Sequence, residues 1–247
     1  DIKYLNIAKK IYDFATTYKI NNIPTIASFK HRWLNNLLSK TNMNIYNTVL
    51  SKTMSNYSSA TIKLSKYDSS INIQNSVLNP LIDNFFDEKH KRFSTIGKQF
   101  NYVDYNLAQN HPAISLFVDY DLDSSFDYLS IIDSIIDESI NYPYNFFSSQ
   151  SFHVDGIIDF CTILIKVYEK TKNDKYLDYA KKYMKYIIEN CKTDFGLFIQ
   201  GEANYIQTTY STKFQSLVLK PYILLTHMQD GKSIFNDKFL YILSRDR

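Results

Sequence analysis

The stretch TKNDKYLDYAKK, from Thr171 to Lys182, decides the fold because it marks a tight turn followed by an amphipathic helix. Asn173 or Asp174 can cap that helix with its side-chain oxygen. Lysines occupy one side of the helix, and apolar residues follow on the other side at steps of three and four, namely Leu177, Ala180, Met184 and Ile187. This spacing predicts a helix with one packed face and one face in water.

A closely similar sequence occurs at the start of the chain. There KYLNIAKK, from Lys3 to Lys10, is identical to KYLDYAKK at six of eight positions. This copy continues into an apolar stripe that consists of Tyr4, Ala8, Ile11, Ala15 and Tyr18. It therefore predicts a second amphipathic helix. A phrase that is written twice also indicates that the chain repeats a structural unit.

The segment before Thr171 differs, because residues 157–168 are apolar almost throughout and polar residues resume only at Glu169 and Lys170. A helix that is apolar nearly all round is buried on most sides. A buried helix, a short link and a half-exposed helix together predict an αα-hairpin.

The pattern recurs on both sides of this hairpin. An amphipathic helix is predicted from Phe126 to Ile140, with Ser124 or Ser125 as its cap. An apolar helix with a kink at Pro221 is predicted over residues 212–228, and residues 236–240 (NDKFL) then echo residues 173–177 (NDKYL). Hairpins that recur at intervals of roughly 50 to 60 residues stack on their neighbours, because none buries its apolar face alone.

The middle of the chain is less regular. Helices are predicted over residues 28–38 and 77–86. Residues 42–75 are rich in Asn, Ser and Thr and predict either a pair of strands or a long loop. The whole chain then holds four or five helix pairs.

The hairpin phrase at residues 171–182 resembles that of the (α/α) toroid enzymes, the six-hairpin glycosidase-like superfamily of carbohydrate-active proteins. Residues 194–198 and 210–215 are similar to the segments that lead those folds into their next inner helix. The resemblance covers residues 126–247 and the first helix, and it is poor over residues 40–105. It implies an all-α fold of helical hairpins, a toroid or an incomplete toroid, formed by residues 1–247 as one domain that is truncated at its C-terminus.

Composition excludes several classes of function. The net charge of +3 comes from lysines scattered among acids, without the basic stripe that follows phosphates, so no nucleic-acid partner is expected. No apolar run is long enough for a membrane span. Cys161 and Cys191 form no disulfide framework and favour a reducing, cytoplasmic compartment. A secreted origin is the alternative left open, since the chain begins with Asp1.

Candidate catalytic residues follow from the resemblance, which implies a site at the N-terminal ends of the inner helices. His153 and Asp155 precede or open the buried helix, and Glu202 is the one carboxylate in the loop before residue 212. Two carboxylates are what glycoside hydrolysis needs, with His153 as an auxiliary proton carrier. The alternative for Asp155 is a simple helix cap. No metal and no cofactor is expected, because the motifs GxGxxG, CxxC, HExxH and the P-loop are missing.

Other residues are candidates for sugar binding through ring stacking or hydrogen bonds, namely Trp33, Tyr105, His111, Tyr210, Lys213 and Gln215. The first hypothesis is therefore a glycoside hydrolase that binds a carbohydrate. The alternative is a non-catalytic helical-repeat protein that binds a partner or a glycan. A lyase or epimerase acting on uronates, with a His or Tyr base, is the third hypothesis.

Overall fold

The computed structural model describes residues 2–17, 19–20, 23–24, 51–95, 105, 107–122, 126–143, 146, 154–198 and 212–245. These residues contain nine α-helices, one π-helix and two short antiparallel strand pairs. The all-α prediction is thereby confirmed. The chain divides into two compact units, Asp1–Tyr105 and Asn106–Arg247. The single domain and its closure into a toroid stay predictions.

The first unit combines helices with two small hairpins. Its helices are α1 (Ile2–Thr17), α2 (Ser51–Ser65), a π-helix (Gln74–Leu78) and α3 (Asn79–Phe85). Its strands are β1 (Lys19–Ile20) paired with β2 (Ile23–Pro24), and β3 (Phe86–Asp87) paired with β4 (Arg92–Phe93). Helix α2 packs against α1, the π-helix and α3. The core of this unit includes Met54, Val77, Leu81, Phe85 and Phe93.

Helix α2 corrects the prediction for residues 42–75, which favoured strands or a loop. Serines are poor helix residues mainly because their hydroxyls compete for backbone groups. Here the hydroxyls bond back along the helix instead. Ser55 donates to the carbonyl of Ser51 at 2.7 Å, and Ser58 donates to the carbonyl of Met54 at 2.8 Å. Such bonds satisfy buried hydroxyls within the helix itself, so a serine-rich segment becomes a packed helix.

The described part of the second unit contains six helices. They are α4 (Leu107–Tyr120), α5 (Tyr128–Asn141), α6 (Val154–Thr171), α7 (Asp174–Asn190), α8 (Thr212–Gln229) and α9 (Lys238–Ser244). Helix α6 packs against α4, α7 and α8. This central position confirms the prediction that α6 is buried on most sides.

The predicted αα-hairpin is formed by α6 and α7. Lys172, in the link, adopts a left-handed backbone conformation with φ of 56°. The side-chain oxygen of Asn173 accepts a hydrogen bond from the amide of Lys175 at 3.1 Å and so caps α7. The capping prediction is thus confirmed for the first of its two candidates.

Two other helix starts refine the predictions. Helix α5 is capped by Asp127, whose side chain accepts from the amide of Ser130, while the predicted candidates Ser124 and Ser125 lie outside the described residues. In the NDKFL echo the cap is Asp237, which accepts from the amides of Phe239 and Leu240. The two echoes therefore start their helices one residue apart.

The core of the second unit also holds both cysteines. Cys161 and Cys191 are free and buried, as expected for an ordinary core thiol at Cys161. Burial raises the pKa of both thiols, that of Cys191 to about 11. Neither is therefore a reactive thiolate at neutral pH.

Candidate functional site

Several predicted site residues lie outside the described part of the chain. These are the catalytic candidates His153 and Glu202 and the sugar-binding candidates Trp33 and Tyr210. Lys213 lies in the first turn of α8. The structure therefore places four of the nine candidate side chains, those of Asp155, Tyr105, His111 and Gln215.

Asp155 lies in the first turn of α6, where the sequence predicted it, and it is half-buried. Its Oδ1 accepts a hydrogen bond from the amide of Gly156 at 3.0 Å. A carboxylate in this position is stabilised by the positive end of the helix dipole. This bond joins adjacent residues, whereas a helix cap accepts from an amide two or three residues further on, so the capping alternative for Asp155 stays a prediction.

His111 is buried in α4, with 3% of its surface exposed. Its Nδ1 lies 2.7 Å from the carbonyl oxygen of Leu107, and its Nε2 lies 3.2 Å from Oδ2 of Asp159 on α6. Both neighbours are acceptors, so the ring donates from both nitrogens only in its cationic form. In this position His111 joins two helices and does not face solvent.

Asp159 and Lys166 belong to a polar seam inside the apolar core of the second unit. Lys220 of α8 places its Nζ 3.7 Å from Oδ1 of Asp159. Lys166, which is fully buried, donates to Oδ1 of Asp119 at 2.6 Å and to the hydroxyl of Ser115 at 3.0 Å. Buried charges are tolerated when they are paired in this way. The seam joins α6 to α4 and α8 through buried polar contacts.

The sequence prediction missed this seam because it treated α6 as apolar up to Glu169. A signal was present. Polar residues recur along α6 at steps of four and three, namely Asp155, Asp159, Thr162, Lys166 and Glu169. That spacing keeps them on one side of a helix. Glu169 continues the seam by accepting from the amide of Ile234 at 2.7 Å and from the hydroxyl of Ser233.

Gln215 holds a backbone segment, and its predicted contact with sugar stays a prediction. Its Oε1 accepts from the amide of Phe198 at 2.9 Å, and its Nε2 donates to the carbonyl of Phe198 at 2.6 Å. Phe198 also pairs with Lys192 in an isolated β-bridge. The amide of Gln215 thus tethers the loop after α7 to the first turns of α8.

Tyr105 is part of a compact polar triangle in the first unit. Its hydroxyl donates to Oδ2 of Asp87 at 2.5 Å and lies 2.9 Å from Nδ1 of His90. The same Nδ1 lies 2.9 Å from Oδ2 of Asp87. The three polar atoms therefore face one another directly. Asp87 and His90 were not among the predicted site residues.

The hairpin of β3 and β4 positions two corners of this triangle. The other carboxylate oxygen of Asp87, Oδ1, accepts from the amides of Lys89 and His90 at 3.0 and 3.2 Å. Phe86 pairs with Phe93 across the strands, and both rings are buried. The turn therefore fixes the Asp87 carboxylate, and Oδ2 is the oxygen that points towards Tyr105 and His90.

The pKa values of Asp87 and Tyr105 in the triangle are shifted in opposite directions. Burial opposes the charge on Asp87, but hydrogen bonds from Tyr105 and His90 outweigh it and hold the pKa of that carboxyl well below its usual range. Desolvation and the bond to Asp87 raise the pKa of Tyr105 above its usual range, while nearby Arg92 opposes that shift. At neutral pH the triangle thus contains a carboxylate and a neutral phenol.

Helices α1 and α2 border an apolar groove. A cavity of about 650 Å³ is lined by Ile2, Tyr4, Leu5, Ala8, Ala60, Lys63, Leu64 and Tyr67. A second one, of about 210 Å³, shares Ala8, Ala60 and Leu64 with the first and extends to Ala15. The two cavities therefore form one strip along the helix pair. The volume of the larger cavity is typical of binding sites.

The apolar residues of α1 are divided between this groove and solvent. Ala15 is buried, whereas Tyr4 and Ile11 are 69% and 57% exposed. Ile7 and Phe14 are exposed as well, so an apolar stripe runs along Tyr4, Ile7, Ile11 and Phe14. The stripe predicted from the sequence is therefore only partly buried. Spacings of three, four and three residues are those of a helix that packs on another helix.

Two further observations concern the described residues only. No group of three His, Cys, Asp or Glu side chains there is placed to hold a metal ion. Within the same ranges, every helix is too short or too polar to cross a lipid bilayer.

Comparison with protein-family models, with curated proteins and with solved structures finds no match for this chain.

Proposed function

We propose that this protein is a helical interaction protein that binds an acidic amphipathic helix of a partner protein along α1. The observation that carries the proposal is the exposed stripe of Tyr4, Ile7, Ile11 and Phe14. It extends over about 16 Å, or three turns of helix. Exposed apolar surface that is contiguous and regularly spaced marks interaction sites, and a helix laid into an apolar groove is a common mode of recognition.

Charge selects the kind of partner. Helix α1, α2 and the turn after them carry six lysines, namely Lys3, Lys9, Lys10, Lys52, Lys63 and Lys66, against Asp13 and Asp68. Lys9 and Asp68 form an ion pair at 2.9 Å. By sequence these segments carry a net charge of +4, six lysines against two aspartates, which is complementary to an acidic helix and steers its approach.

A second copy of this chain fits the stripe less well. A parallel pairing of two α1 helices would bring Lys3, Lys9 and Lys10 of one copy towards the same lysines of the other. Like charges at the flanks of a helix pair disfavour that pairing. The charge pattern therefore favours a partner of a different sequence.

A designed peptide tests this proposal. The peptide is a helix of roughly 21 residues, three heptads, with leucine at positions a and d and glutamate at the flanks. We expect it to bind the protein in a fluorescence-anisotropy titration. We expect Ile11→Glu to weaken binding by at least about tenfold, because it places a carboxylate in the contact. Ile242→Glu, at an equally exposed position on α9, is the matched control and leaves the affinity unchanged.

Other results would overturn the proposal. A scrambled peptide of equal composition that binds as tightly would show that only charge is recognised. Loss of binding by Ile242→Glu would show that the effect is unspecific. If light scattering shows a dimer that Ile11→Glu dissociates, the stripe is occupied by a second copy.

The second candidate function is the carbohydrate-active enzyme, built on a toroid of helical hairpins. Two observations favour it. One is the α6–α7 hairpin, which is the repeating unit of that fold. The other is the position of Asp155 at the N-terminal end of the buried helix α6. In this proposal Asp155 and Glu202 are the acid and base, and His153 assists. The uronate lyase or epimerase remains its variant.

A thermal-shift screen against neutral and uronic oligosaccharides tests the enzyme proposal. A ligand that binds only the folded state raises the melting temperature. We expect a shift with one class of sugar that Asp155→Asn abolishes. Asp127→Asn changes a helix cap on α5 and is the control. Failure of every sugar to shift the melting temperature would count against this candidate and leave the peptide result unaffected.

A further inference from the structure

We propose that Asp87, His90 and Tyr105 form a binding site for a hard first-row metal ion, of which Fe³⁺ is the best fit. The proposal rests on the polar triangle in the first unit and is independent of the partner-binding surface on α1. The triangle is not one of the groups of three His, Cys, Asp or Glu side chains considered above, because its third donor is the phenol oxygen of Tyr105.

The spacing of the three donor atoms suits one face of a metal's coordination sphere. For metal–ligand bonds of about 2.0–2.2 Å, two ligands at a right angle lie about 2.8–3.1 Å apart. Nδ1 of His90 is 2.9 Å from both oxygens, and the two oxygens are 2.5 Å apart. Only the edge between the oxygens must widen by a few tenths of an ångström. Deprotonation of the phenol ends the hydrogen bond that keeps that edge short.

The donor types select the ion. Carboxylate and phenolate oxygens are hard ligands, and imidazole nitrogen suits iron, copper and zinc. The imidazole makes Ca²⁺ and Mg²⁺ poor candidates, because those ions take oxygen ligands. Two anionic oxygens match the high charge of Fe³⁺. Binding is written as Fe³⁺ plus the Tyr105 phenol giving an iron–phenolate bond and one proton released to water, with no change of oxidation state.

The surroundings prepare these ligands. Oδ1 of Asp87 is held by two backbone amides, so Oδ2 stays in place as the ligand, as outer contacts do in known metal sites. The charge of Lys91 is balanced by its contact with Glu88. His90 is half-exposed, which leaves an entry path and open coordination positions.

Titration with ferric nitrilotriacetate at neutral pH tests the site on the whole chain. We expect one equivalent of iron to bind and to give a visible charge-transfer band, which a phenolate–iron bond produces. Tyr105→Phe abolishes the band, and His90→Ala weakens binding by at least about tenfold, the range seen when metal-site contacts are lost. Tyr67→Phe, at an exposed tyrosine of the same unit, leaves the band unchanged.

Two results would overturn the proposal. One is the absence of a band in the wild-type protein at stoichiometric iron. The other is a band that survives in Tyr105→Phe or His90→Ala, which would indicate adventitious iron. Circular dichroism of each variant confirms that it is folded, and His90→Ala changes only an exposed turn, so a folded variant is expected for the decisive comparison.

Discussion

Helices α1 and α7 share the phrase KYL–AKK but have opposite surroundings. Tyr176 of α7 is 4% exposed, whereas the matching Tyr4 of α1 is 69% exposed. Ala180 of α7 is fully buried, and the matching Ala8 faces the groove beside α2. The same local sequence thus forms the same helix in both places. What differs is the surface that each helix meets.

The cause lies in the neighbouring helix. Helix α7 packs along α6, which is buried on most sides, and Tyr176, Ala180, Tyr183, Met184 and Ile187 of α7 are buried. Helix α1 packs on α2, a serine-rich helix that buries less of it. An amphipathic pattern indicates a face that seeks an apolar contact. It does not say whether that contact lies within the chain or on a partner.

The largest effect on stability is expected when the matching alanines of α7 and α1 are each replaced by glutamate. Ala180→Glu places an unpaired charge and extra volume in a filled core, and we expect it to lower the free energy of unfolding by about 4 kcal/mol or more. Ala8→Glu at the matching, exposed position should change it by no more than about 0.5 kcal/mol. Urea unfolding followed by circular dichroism measures both. Equal effects would contradict the difference in burial.

The polar seam that locks α6 gives the next effect. Lys166→Met leaves Asp119 charged and buried without its partner, so we expect a loss of about 3–5 kcal/mol. Adding Asp119→Leu should recover most of that loss, because the buried charge is then removed as well.

The control for these two variants is the exposed pair of Lys185 and Glu189 on α7. There Lys185→Met should lower the free energy of unfolding by less than about 1 kcal/mol. If the double variant is as unstable as Lys166→Met, the pairing of the two charges does not explain the loss.

The pH dependence of the free energy of unfolding is expected to reveal the burial of Tyr176. Burial and the neighbouring Asp133 raise the pKa of Tyr176 to about 12 in the folded protein. A raised pKa stabilises the fold fully below the unfolded value near pH 10, and that contribution is lost as the pH rises towards 12. Tyr176→Phe should therefore flatten the fall of stability between pH 10 and 12, by roughly 1–2 kcal/mol. Tyr4→Phe, at the exposed copy, is the control in the same urea series.

The smallest effect comes from a helix cap. Asn173→Ala removes the acceptor for the amide of Lys175, and we expect a loss of about 0.5–2 kcal/mol. The same change inside α1, Asn6→Ala, should leave stability equal or slightly higher, because alanine is the better helix former. Thermal melts of the two variants make the comparison. A loss at Asn6 as large as that at Asn173 would contradict the capping role.

Part of the candidate site was accessible to sequence reasoning. The place of Asp155 in the first turn of α6 followed from the apolar run behind it. The partners of His111 and Gln215 did not follow, since they come from Asp159 and Phe198, which are distant in the chain. The triangle around Tyr105 was missed for the same reason. Asp87 and His90 belong to a tight turn that resembled the charged end of a helix.

The sequence by itself determined the helical class, the α6–α7 hairpin and the burial of α6, because these depend on contacts between residues a few positions apart. The tertiary structure alone decided that α2 is a helix, that charges pair inside the second unit, and that α1 keeps an apolar stripe in solvent. The physical reason is that periodicity records which face of a helix is apolar. Only packing decides what that face, or a buried charge, will meet.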